Sequence, residues 1–77
     1  MKRVVLKYLG YKGKLYYFED SQESTLRFSG VRADLIYEFS LREDRNIKTL
    51  FEVTYFVARD DGEESNIISD LKIIPNI

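Results

Sequence analysis

Apolar side chains recur at alternate positions through much of this chain, a period that suits β-strands and fits helices poorly. In "TLFEVTYFV", residues 49–57, one face carries Phe51, Val53, Tyr55 and Val57, and the other Leu50, Glu52, Thr54 and Phe56. "DLIYEFS", residues 34–40, sets Leu35, Tyr37 and Phe39 against Ile36, Glu38 and Ser40. "TLRF" places Leu26 and Phe28 together, opposite Arg27. "KRVVLKYL" and "KGKLYYF" read as two further strand segments, parted by Gly10 to Gly13, which make either a turn or a sharp bend in one long strand. A last strand over "NIISDLKII" stops at Pro75, which has no N–H to give a ladder.

Polar breaks separate these segments. "RDDG" holds Asp-Gly between two strand patterns, a hairpin signal with a mechanism, because both turn positions need positive φ. "LREDRNIK" is too short and polar for a buried helix and suits a helical turn. With 77 residues the chain forms one domain, residues 1–77. Its core is modest, yet six Tyr and five Phe give it large side chains to bury. An all-β fold is expected, a small antiparallel barrel of five or six strands, since closure at this size removes exposed edges. The same-face positions Leu15, Leu26, Leu35, Tyr37, Phe39, Val53, Tyr55 and Leu71 are its expected core.

Catalytic chemistry finds little to work with. The chain has no cysteine and no histidine, which removes thiolate sites, the commonest metal ligand and the commonest general base. Four scattered glycines form no phosphate-cradling loop. The carboxylates Asp60, Asp61, Glu63 and Glu64 lack the alternating spacing of a calcium loop and read as a solvated turn. A protein without enzymatic activity, cofactor or metal is expected. No apolar run is long enough to span a bilayer as a helix, so the expected setting is soluble and cytoplasmic.

The net charge is −1, but it is unevenly spread. Residues 1–18 carry five basic groups and no acid, leaving seven basic against thirteen acidic groups in the remainder. "KYLGYKGKLYYF", residues 7–18, interleaves three lysines with five rings. That combination suits a polyanion with flat bases, although lysines on a strand also discourage edge-to-edge aggregation. Tyr8, Tyr11, Tyr16 and Tyr17 exceed what so small a core can hold, so at least two should show a face to solvent or to the N-terminal segment.

From residue 13 onward the chain resembles the cold-shock domain family, small OB-type barrels that bind single-stranded nucleic acid. The family's first strand looks like G-K-V-K-W-F, against "GKLYYF" at 13–18. Its third looks like D-V-F-V-H-F-S, against "DLIYEFS" at 34–40, and a later F-K-T-L is similar to "IKTL" at 47–50. The resemblance covers residues 13–73 and implies a barrel over 13–74, with 1–12 as an extra N-terminal strand segment. By position, Tyr17 takes the family's stacking tryptophan, Tyr16 a lysine, Ile36 an exposed aromatic and Glu38 a stacking histidine. The second strand departs, because "QESTLR" at 22–27 has neither the glycines nor the rings of K-G-F-G-F-I. The basic aromatic stretch and the resemblance together lead to the expectation of weak binding of single-stranded RNA or DNA through Lys12, Lys14, Tyr16, Tyr17, Ile36 and Lys48, with Lys7 beside them. The alternative is an interaction or regulatory module that keeps the barrel and binds another protein through an exposed strand edge or through Ile36, Leu50 and Phe56.

Overall fold

The computed structural model describes residues 1–75. In chain order it contains β1 (Lys2–Lys12), β2 (Leu15–Glu19), β3 (Thr25–Phe28), β4 (Gly30–Val31), α1 (Ala33–Glu38), a 3-10 turn (Asp44–Asn46), β5 (Leu50–Asp60) and β6 (Glu63–Ile73). One six-stranded sheet holds them in the order β3-β2-β1-β5-β6-β4. All its ladders are antiparallel except β4 with β6.

The all-β class stands, with two corrections. The sheet does not close as a barrel. Among the described residues β3 forms a ladder only with β2, and β4 only with β6. Between them the chain turns at Ser29, whose N–H donates to the Asn66 carbonyl at 3.0 Å. The Asn66 side-chain amide donates to the Arg27 carbonyl at 3.1 Å. The two edges of the sheet are thus brought together by single bonds rather than a shared ladder. Gly30 permits the approach, since a Cβ there would lie 2.9 Å from Cδ1 of Ile67.

The second correction concerns "DLIYEFS", which forms α1 and not a strand. Leu35 and Phe39 are four residues apart and share a face in either geometry, so the alternation was ambiguous at those two positions. Tyr37 separates the cases: expected in the core, it is 83% exposed. With β6 already paired on both sides near this point, residues 33–38 have no strand to join, and a helix satisfies their backbone internally. The helix ends in a Schellman arrangement. Ser40 sits at φ 49°, its N–H donates to the Tyr37 carbonyl, and that of Leu41 donates to the Ile36 carbonyl.

β1 is a single strand lying between β2 and β5, so the segment 1–12 is central to the sheet rather than an addition to it. Gly10 makes the bend, with φ 134° and a register shift against β2 between Tyr8 and Gly10. The shift lets Tyr8 and Tyr11 both face inward. In β2 the inward residues are Tyr16 and Phe18, and Leu15, expected in the core, lies half-buried on the other face. Phe18 is the hub of the core. Its ring centroid lies 4.9 Å from that of Tyr8, 5.3 Å from Phe28 and 6.4 Å from Phe51. Leu35, Phe39, Val53 and Leu71 are buried as expected, and Leu26 and Tyr55 pack partly against them. Leu6, Leu41, Phe51 and Ile68 complete the cluster.

Candidate nucleic-acid interface

β1 and β2 are joined by the two-residue turn Gly13-Lys14, with φ 59° and 65°. Positive φ at both positions matches the right-handed twist of the flanking strands. It also sets Lys14 in the left-handed region, which is unfavourable for a residue with a Cβ. Lys12 and Lys14 are exposed at this tip. Immediately behind it Tyr11 pairs with Tyr16 across the strands, ring centroids 4.6 Å apart.

Arg42 follows the end of α1 and lies across these rings. Its guanidinium carbon sits 5.3 Å from the Tyr11 ring centroid, within cation–π range. Its Nε donates to the Tyr16 hydroxyl at 3.3 Å. That bond, with smaller contributions from the Tyr16, Tyr11 and Tyr37 hydroxyls, raises the exposed guanidinium above its ordinary pKa. Among the described residues only its Nε is engaged by a hydrogen bond, and the side chain is exposed.

Arg42 also borders a groove of about 370 Å³ shared with Ala33, Ile36, Tyr37, Ser40 and Glu43. The exposed Tyr37 ring forms one wall and the half-buried Ile36 lines it. Glu43 brings a negative charge to the rim, partly offset by Arg45 at 3.5 Å.

The six residues expected to bind nucleic acid are thus only partly brought together. Lys12 and Lys14 project from the tip, and Ile36 lies in the groove, on a helix rather than a strand. Tyr16 is 3% exposed; its ring is packed away and it acts by holding Arg42. Tyr17 is half-buried on the outer face of β2, beside Arg27 of β3. Lys48, with φ 74°, donates its backbone N–H to the Tyr8 carbonyl at 2.7 Å and is exposed further back along β1. Of the four tyrosines in residues 8–17, Tyr8 and Tyr16 are buried while Tyr11 and Tyr17 are half-buried.

Sequence reasoning missed Tyr11, Tyr37 and Arg42 as site residues. Tyr37 was hidden by the strand reading of its segment. Arg42 stands in a polar break with nothing in its neighbours to connect it to a tyrosine about thirty residues earlier. Groups of three or more potential metal ligands are absent among the described residues, and no helix there is long and apolar enough to cross a membrane. Comparison with protein-family models, with curated proteins and with solved structures gave no match.

Proposed function

We propose that the protein binds single-stranded nucleic acid weakly at the basic end of its sheet. Arg42 and the lysines of the β1–β2 turn meet phosphates there, and Tyr37 stacks on a base. The observation that carries this reading is the Arg42 guanidinium, oriented by Tyr11 and Tyr16, beside an exposed ring in one groove. Every base has a π-face, so a single exposed ring gives sequence-tolerant stacking of roughly 1–3 kcal/mol. A planar guanidinium suits phosphate oxygens bidentately.

The strand connectivity supports the reading. Taken as one bent strand, β3 and β4 bond β2 on one side and β6 on the other, and α1 follows them. This is the order of partly open OB-type barrels, in which the first and last hairpin loops flank the oligonucleotide. Here the first hairpin loop is basic and the last, Asp61-Gly62, is ringed by carboxylates, so a polyanion is confined to the first. A cold-shock relationship is part of the same proposal. It does not carry residue by residue, because the segment matched to the family's first strand is the second strand here and that matched to its third is a helix.

A titration of labelled oligo-dT and oligo-U at low salt tests the proposal. Binding that weakens steeply as salt is added is expected, since phosphate contacts release counterions. Absence of binding at high micromolar protein would remove it. The second reading, a protein-binding module, is favoured by Val5, Leu50 and Ile73. All three are exposed, and Leu50 borders both a cleft with Val5 and a cleft with Ile73.

A further inference from the structure

We propose that the free edge of β5 beyond Tyr55 pairs with the same edge of a second copy of this chain, making a two-fold dimer. β5 bonds β6 along its whole length to Asp60, but its ladder with β1 ends at Lys2 opposite Tyr55. Phe56 to Asp60 therefore form an edge strand with no ladder on the β1 side among the described residues, and past Val57, whose partner Asn66 still meets Ser29, β5 and β6 run on as a two-stranded arm. Phe56 and Val57 on this edge are each 39% exposed.

Three observations select the occupant. The first is the chemistry of the two edges of the arm. The β6 edge presents Glu63 and Glu64, and two copies meeting there would oppose like charges. The β5 edge begins Phe56-Val57-Ala58 and carries no charge until Arg59. The second is charge at the ends of the gap. The arm tip gathers Asp60, Asp61, Glu63 and Glu64 against one arginine, Arg59, which is already paired with Glu64 at 2.8 Å. Where β1 stops, at the base of the gap, stand Lys2 and Arg3. Lys2 has no ion pair among the described residues, and Arg3 only a long exposed one to Glu52 at 3.8 Å.

The third is direction. β1 runs antiparallel to β5, so a strand that continues β1 into the gap also runs antiparallel. Supplied by another β5 edge, it sends the acidic tip of each copy to the Lys2–Arg3 base of the other. Antiparallel self-pairing about Ala58 generates a two-fold axis and closes, so the contact gives dimers and not fibres. The paired edge is short and belongs to the class of small, transient interfaces.

Sedimentation equilibrium of the full chain over a wide concentration range at low salt tests this inference. The mass is expected to rise from 9.1 kDa toward twice that value, and to fall back as salt is added. Ala58→Lys sets two lysines against each other at the axis and should hold the mass at the monomer value with an unchanged melting curve. Lys2→Glu with Arg3→Glu should weaken the dimer by about tenfold or more, and adding Asp60→Lys and Asp61→Lys should recover it. A constant 9.1 kDa at every concentration overturns the proposal, including the case in which the monomer binds an added basic peptide. A dimer indifferent to both Ala58→Lys and the charge exchange overturns it as well.

Discussion

The two long hairpins of this protein use the same backbone device to opposite ends. β1–β2 and β5–β6 each turn through two residues with positive φ, Gly13-Lys14 and Asp61-Gly62. Behind the first turn Tyr11 and Tyr16 are drawn into the packed cluster, and Arg42 lies across them. Behind the second, the strands run past the point where β1 stops, and Phe56 and Val57 are left partly open. A hairpin's turn chemistry thus fixes its register, while what lies behind it decides whether its side chains become core or surface. The first end is basic, with Arg42 held against Tyr11 and Tyr16; the second is acidic and has a free edge.

The largest difference should appear on truncating a ring in each hairpin. Phe18→Ala, at the hub of the core and 0% exposed, should cost about 3–5 kcal/mol of stability in urea unfolding. Phe56→Ala on the free edge should cost no more than about 1 kcal/mol. Equal losses would mean that the edge is packed as tightly as the core, and the contrast would fail.

Next in size is Tyr37→Ala. It should weaken oligonucleotide binding by roughly 1–3 kcal/mol in an anisotropy titration and leave the melting curve in place. A destabilised variant would return Tyr37 to the core role that strand alternation assigned it.

Phe51, Val53 and the Asp-Gly hairpin followed from patterns in single segments, where local geometry and burial agree. Leu35 and Phe39 were placed correctly within the wrong element, because a spacing of four residues is common to a strand face and a helix face. Only the sheet's pairing, which leaves 33–38 without a neighbour, decides for the helix. The site was less readable still. Lys12 and Lys14 announced themselves as charges on a turn, but Arg42 acquires its role through Tyr11 and Tyr16, contacts that only the tertiary fold creates. Closure was overestimated because the bend at Ser29 and Gly30 depends on Asn66 and Ile67, far along the chain.

A smaller effect concerns Tyr8, whose hydroxyl donates to the Leu41 carbonyl inside the first hairpin's core. Burial first, then Tyr16, Asp44 and Tyr11, pushes its pKa well above the ordinary 10.0. The unfolded chain releases this proton near pH 10 while the folded chain keeps it. The contribution is therefore complete below that pH and is lost as pH rises beyond it. Tyr8→Phe should cost about 1–2 kcal/mol at neutral pH, by leaving the carbonyl unpaired, and should flatten the alkaline decline in urea midpoints. An equally steep decline in the variant would assign the loss to another group.

The smallest expected change sharpens the comparison of the turns. Lys14→Asn places a residue tolerant of positive φ where lysine is strained, and should raise stability by up to about 1 kcal/mol. The same change should lower the salt slope of oligonucleotide binding by about one phosphate contact. A gain in stability with unaltered binding would make Lys14 a turn residue only.

The central claim is that the basic end of the sheet is the nucleic-acid interface, and residue-resolved NMR titration with oligo-dT at low salt addresses it most directly. Shift changes are predicted to gather on Lys12 to Lys14, on Ile36 to Arg42 and on Tyr11, and to fade together as salt is raised. Changes confined to Tyr17 and Arg27 on the outer face of β2 and β3, or spectra that do not move, would contradict it.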